Sequence, residues 1–152
     1  MTGGAAQPHV VTSLAELVQE ITVELVGITF YKASAEISGD YVSDDPQIGD
    51  LEPKFALKLI AENDEIGVRL NLTLKGEIGT VEVDVAANYE TPFPVEVPEE
   101  VSVEFANEVG IMVLLPYVRE TVWSLTQRVF GTAMVMPVFQ RGQVSFSPAD
   151  RS

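Results

Sequence analysis

Apolar and polar residues alternate strictly along three stretches of the chain. Over residues 66–76, Ile66, Val68, Leu70, Leu72 and Leu74 share one parity, and Arg69, Asn71, Thr73 and Lys75 take the other. Over 80–90, Val81, Val83, Val85, Ala87 and Tyr89 oppose Glu82, Asp84 and Asn88. Over 54–62, Phe55, Leu57 and Leu59 oppose Lys54, Lys58 and Glu62. A period of two predicts strands with one buried and one polar face. The short turns between them predict an antiparallel meander. Arg69 and Lys75 then face Glu82 and Asp84 across strands, which supports the register modestly. A fourth strand is predicted over 22–38, rich in β-branched and aromatic residues. Its parity changes around Gly27, which predicts a bulge or bend there.

The period changes to three and four elsewhere. Thr12 or Ser13 offers an N-cap for a short helix over 14–21, with Leu14, Leu17, Val18 and Ile21 on one face. Three prolines within 91–100 break the sheet, and Glu99 and Glu100 stand where a helix N-terminus favours negative charge. From there a single helix is predicted to about residue 129, carrying Val101, Phe105, Val109, Met112, Val113, Pro116, Val122, Leu125 and Val129. At 1.5 Å per residue it spans roughly 45 Å, long enough to serve as an interface. Pro116 removes one hydrogen bond and either bends this helix or divides it after Leu115. Gly131 ends it, and an extended apolar segment follows.

The pattern amounts to one α+β domain over 12–147, between a flexible tail at 1–11 and a short one at 148–152. The acidic connection over 39–53 is long, and its scattered Tyr41, Val42, Ile48 and Leu51 are unusual for a solvated loop. With 152 residues the chain can build a real core, and 46 % hydrophobic content argues for a folded protein. No signal peptide or apolar run of transmembrane length is read, so no membrane insertion and a cytoplasmic location are expected.

Charge and side-chain chemistry narrow the function. The chain has 23 acidic and 9 basic residues, a net of -14. That field repels nucleic acid and anionic membranes and favours a basic partner or an unfolded chain with basic segments. Cysteine is absent and the one histidine, His9, lies in the tail, so Ser-His-Asp and Cys-His catalysis have no members. The neighbouring acids Asp44/Asp45 and Glu99/Glu100 lack metal-loop spacing. Arg119 and Glu120 beside Tyr117 read as a surface or intersubunit ion pair. The expectation is a non-enzyme with no metal and no cofactor.

The order of parts, with Leu115-Pro116-Tyr117-Val118-Arg119-Glu120 inside the long helix, resembles the SecB family of chaperones over about residues 20–140. The runs 53–59, 69–89 and 136–139 resemble its second strand, its third and fourth strands, and its segment after the helix. The chain departs from that family by lacking room for a second C-terminal helix and acidic tail. It is similar in this to the short SecB-like chaperones of toxin–antitoxin systems. The resemblance implies a SecB-like fold, with a four-stranded antiparallel sheet, a short N-terminal helix and a long C-terminal helix. It implies an ATP-independent holdase for unfolded polypeptide, its client being an antitoxin or export precursors, assembled as a homotetramer (a dimer of dimers).

Carried onto this chain, the client groove falls on Leu51, Phe55, Leu57 and Leu59, with Met134 and Met136 beyond the long helix. Core packing is an equal reading for Leu57 and Leu59. The oligomer interface falls on Met112, Pro116, Tyr117, Arg119 and Trp123, and the family's contact with the SecA motor on Glu36 and Glu82. The shortened C-terminus speaks against SecA as a partner. The alternative class is a small hydrophobic-ligand carrier, its sheet wrapped round the long helix.

Overall fold

A computed structural model describes residues 7–39 and 51–136. The predicted roles of Tyr41, Val42, Ile48 and Asp44/Asp45, the segment after Met136 and the C-terminal tail lie outside the described residues.

Four strands form one antiparallel sheet: β2 (Glu24–Ile37), β3 (Glu52–Glu62), β4 (Glu65–Lys75) and β5 (Gly79–Glu90). Their spatial order is β2-β5-β4-β3. The meander β3-β4-β5 keeps continuous register, while β2 crosses over to pair with β5. The bulge expected near Gly27 is present between Leu25 and Gly27, and a second lies between Phe30 and Lys32. Each inserts an extra residue, Val26 and Tyr31, which is why the parity of this strand was hard to follow. Gly79 starts β5 at φ +157, where a Cβ would run into the Glu36 carbonyl. Only glycine closes the β2-β5 ladder at that point.

The inward parity is the one predicted. Leu70, Leu72, Leu74, Val81, Val83, Val85 and Ala87 are fully buried. Against them lies one helical rod of three parts: α1 (Glu99–Phe105), a π-helical turn (Ala106–Gly110) and α2 (Ile111–Val129). Pro116 sits inside α2, so the helix neither ends nor restarts at Leu115. The irregularity is instead the π turn, which takes an extra residue and rotates the buried stripe. Ile111, Leu114, Leu115, Val118 and Val122 therefore face the sheet, while Met112 and Pro116 turn outward. At the same turn Gly110 sits so close to β4 that a Cβ would lie 2.7–3.0 Å from the Val68 side chain.

Two expectations need correction. The tail read over 1–11 is held from His9 onward: β1 (His9–Val10) pairs in parallel with β6 (Val95–Glu96), and Val11 is fully buried. Proline interrupts the main sheet here, yet the strand edge between prolines remains free to pair. Second, residues 99–129 form a helix long and apolar enough, by length and composition alone, to span a membrane. Half of its most apolar window is buried against the rest of the protein, so the sheet accounts for much of that apolarity.

Helical backbone begins at Leu14 and continues as a π turn (Glu16–Glu20), directly after Ser13, one of the two expected N-caps. The Ser13 hydroxyl accepts the Glu16 N–H at 3.1 Å, and the Glu16 carboxylate accepts the Thr12 N–H at 2.8 Å. The pair resembles a capping box. Leu17 and Ile21 are buried, whereas Val18, expected on the same face, is exposed.

Candidate functional site

The sheet offers three surfaces: the inner side of its β3 edge, the outward side of α2, and the outer face. α2 lies over β5, β2 and β4, and β3 meets mainly the first helical segment and β6. The inner side of β3 is therefore the least covered part of the apolar layer. Phe55 and Leu57 are half-buried there, while Leu59 next to them is fully buried. Leu51, at the strand's entrance, is buried as well.

Met134 and Met136 belong to the same apolar cluster. The segment carrying them is fastened by Thr126, whose hydroxyl donates to the Val122 carbonyl at 2.7 Å and accepts the Met134 N–H at 2.7 Å. Met134 is half-buried, Met136 buried, and Val135 between them 74 % exposed. Of the six residues assigned to the groove, the fold thus leaves Phe55, Leu57 and Met134 reachable at its surface. Leu51, Leu59 and Met136 are buried in the core.

On the outward side of α2, Met112, Pro116, Tyr117 and Trp123 are exposed. The Tyr117 ring meets the exposed Phe30 of β2 edge-on, centroids 6.4 Å apart, and this extends the apolar stripe onto the sheet edge. Arg119 is half-buried, and its Nε is shielded from water with no hydrogen-bond partner among the described residues. A shielded, unmatched donor beside exposed aromatics suits a face that another surface covers.

The outer face is polar and ordered by charge. Arg69 donates to both Asp84 oxygens, at 2.7 and 2.9 Å, and its guanidinium lies 3.9 Å from the centroid of the Tyr31 ring. Asn71 donates to Glu82 at 3.0 Å and Asp84 at 3.3 Å, and Lys32 pairs with Glu82 at 2.9 Å. Hydrogen bonding from Arg69 holds the Asp84 carboxyl below its ordinary range. Hydrogen bonds from Asn71 and then Lys32 do the same for Glu82. Lys75, expected to share these acids, stands opposite Thr80 and Glu52 instead. The bulge at Tyr31 shifts β2 so that Lys32 takes the place opposite Asp84. Glu36 and Glu82 do share this face, one row apart. Sequence parity places Arg69, Asn71, Glu82 and Asp84 on it. The contribution of Tyr31 and Lys32 is hidden by the bulge.

Among the described residues no group of three or more His, Cys, Asp or Glu is arranged to hold a metal ion. The buried Tyr89, edge-on to Phe105 at 4.9 Å, has its phenol pushed up to about 12 by desolvation. It therefore stays protonated and makes no base.

No protein-family model and no curated protein matches the sequence. The fold does have solved counterparts. The chain is similar to a SecB-like chaperone of Mycobacterium tuberculosis, Rv1957, solved in complex with a ChAD peptide from the Rv1956 HigA1 antitoxin. The TM-score is 0.64 at 18 % identity, over 84 % of this chain and 96 % of that one. It is also similar to a protein of unknown function from Streptococcus agalactiae, with a TM-score of 0.53 at 11 % identity over 77 % of this chain and 97 % of that one. The fold expected from the sequence, a SecB-like sheet with one long helix, is the fold observed.

Proposed function

We propose that this protein is an ATP-independent holdase that keeps an aggregation-prone polypeptide unfolded, in the cytoplasm and as a homotetramer. The observation that carries the reading is the incomplete cover of the β3 edge, where Phe55 and Leu57 remain half-exposed, with the half-exposed Met134 packed against the same apolar cluster. A client segment laid there gains roughly 25 cal/mol for each Å² of apolar surface removed from water. Methionine suits such a site because its flexible, polarisable side chain adapts to varied clients. No step in this function needs covalent chemistry.

Within this reading an antitoxin is favoured over export precursors as the client. The similar Mycobacterium protein was solved with an antitoxin peptide, which supports the choice at the level of fold. A SecA contact at Glu36 and Glu82 is the weaker proposal, because Glu82 is already engaged by Lys32 and Asn71. The tetramer would close over Met112, Pro116, Tyr117, Arg119 and Trp123. The carrier alternative is disfavoured, since Leu70, Val83, Val85, Phe105 and Leu114 fill the space between sheet and helix.

The test is suppression of aggregation, followed by light scattering, of a slowly folding client at stoichiometric protein without ATP. Suppression by the wild type that is lost in Phe55→Asp and Met134→Asp, with sedimentation still reporting tetramer, is the expected result. Equal suppression by both variants would remove the β3 edge from the site.

A further inference from the structure

Among the described residues the buried serine and threonine side chains are those of Thr91, Ser102 and Thr126. A buried hydroxyl needs partners, and the first two find them close by in the chain. Ser102 donates to the Glu99 carbonyl one turn back, and Thr91 to the Phe93 carbonyl two residues on. Thr126 differs, because it stands on the buried stripe of α2 one turn after Val122, where an apolar side chain is expected. Its hydroxyl donates to the Val122 carbonyl at 2.7 Å and lies 3.2 Å from that of Trp123. It also accepts the Met134 N–H at 2.7 Å, a bond that joins α2 to the segment after it.

The backbone of Thr126 holds the other end of the same turn. Its carbonyl accepts the Phe130 N–H at 2.9 Å, which closes the helix, and Gly131 then takes the left-handed conformation at φ +78. The turn over 130–134 is thus clamped at both ends by one residue. Among the described residues no other main-chain hydrogen bond holds 132–136. Along this segment Met134 is half-buried, Val135 is 74 % exposed and Met136 is buried. Successive side chains of an extended chain point to opposite sides, so a slip of one residue would carry Val135 inward and Met136 outward.

We infer that Thr126 is a positioning residue for the client groove: its hydroxyl pins the register in which Met134 packs against the apolar cluster and Val135 points to solvent. The inference rests on the holdase reading, in which Met134 meets the client. Thr126 is itself fully buried and touches no client, so it acts through the Met134 backbone. Valine in its place keeps the shape and loses the hydroxyl, whereas serine keeps the hydroxyl and loses a methyl group. With valine the Met134 N–H has no partner at α2 and is satisfied by water instead, which draws the segment away from the cluster. A loosened segment must then be ordered again each time a client binds, and affinity falls by that cost.

The probe is fluorescein-labelled, reduced and carboxymethylated lactalbumin, a permanently unfolded chain, with binding to the full protein followed by fluorescence anisotropy. Thr126→Val is expected to weaken binding about tenfold, and Thr126→Ser to hold it within about twofold of the wild type. Hydrogen exchange reads the cause. In Thr126→Val the Met134 amide should exchange about tenfold faster or more, while the Phe130 amide, held by the Thr126 carbonyl, keeps its rate. Should valine disturb folding, replacing Met134 by its α-hydroxy acid deletes the same N–H with every side chain in place, and it should weaken binding equally. Met134→Asp separates this inference from the reading beneath it. If Met134→Asp abolishes binding and Thr126→Val leaves it unchanged, the groove stands and the positioning role falls. The role falls too if Thr126→Ser weakens binding as much as valine does, because the hydroxyl is then not the cause. Binding unaffected by Met134→Asp, or no binding by the wild type, would overturn the client role of this segment and the inference with it.

Discussion

On the inner face of the sheet every second residue of β4 and β5 is an aliphatic or aromatic side chain sealed under the long helix. On the outer face the same strands carry charge, paired at one end and unpaired at the other. The inner face is held by volume, since Val68, Leu70 and Val83 are fully buried and have no freedom to move apart. The outer face is held by geometry: the Arg69 fork, Asn71 and Lys32 satisfy Asp84 and Glu82. At the other end Glu24, Glu90, Glu65 and Glu62 form a row, each opposite the next, with no such network among the described residues. Stability is concentrated on the inner face, and the outer one is the more sensitive to charge.

The sharpest way to test this division is to cut volume from the inner face. Leu70→Ala should cost about 2–5 kcal/mol, read as a lower urea midpoint, because the lost methyl groups leave a cavity that packed neighbours cannot fill. Thr73→Ala, on the outer face of the same strand, should stay within about 0.5 kcal/mol. Equal losses would show that the two faces carry stability alike.

Adding volume at the helix is the next largest effect. Gly110→Ala brings a methyl group within 2.7–3.0 Å of the buried Val68 side chain. Overpacking outweighs the gain in helix propensity, for a net loss of about 1–2 kcal/mol in the same urea assay. A stabilised variant would mean that the π turn relaxes to ordinary helix and releases the contact.

That π turn marks where sequence reading ran out. The alternation in β3, β4 and β5 identified strands, faces and turns, because a period of two survives in regular strands. The two bulges of β2 each insert one residue, so its parity is readable only in short pieces. Helix periodicity located the rod and its half-buried Val109 and Val113, but it also put the exposed Met112 and Pro116 on the apolar stripe and left out the buried Gly110, Ile111 and Leu114. An insertion in a helix leaves no local signal apart from Gly110, whose reason is Val68, forty-two positions away in the chain. The candidate groove was legible by type, as apolar residues at an edge. Which of them stay reachable depends on how far α2 extends over β3, a tertiary fact.

At the paired end of the outer face the expected effect is smaller and depends on pH. Asp84→Asn removes the charge that Arg69 grips, and the loss should be about 1 kcal/mol, kept low because Arg69 remains 38 % exposed. The Asp84 carboxyl is held below its ordinary value by Arg69. Its contribution is therefore complete above the unfolded value, about 3.9, and fades as pH falls through the folded one. The difference in stability between wild type and variant should accordingly be constant near neutrality and shrink below about pH 4. A difference that grew on acidification would assign the stability to another group.

The unpaired end should give the smallest shift, with the opposite sign. Glu90 stands between Glu24 and Glu65 and faces both. Glu90→Gln removes two direct repulsions while keeping shape, so stability should rise by on the order of a few tenths of a kcal/mol at low salt. Raising ionic strength towards 1 M shortens the screening length to about 3 Å and should erase the gain. Glu82→Gln, in contrast, removes an acid that Lys32 and Asn71 satisfy, so it should lose stability under the same low-salt conditions. Thermal midpoints of the two variants across a salt series separate these cases. If both fall together, the glutamate row is balanced by cations outside the described residues. If they diverge as expected, charge weakens the protein where the glutamates face one another and strengthens it where Lys32 and Asn71 meet Glu82 on the same face.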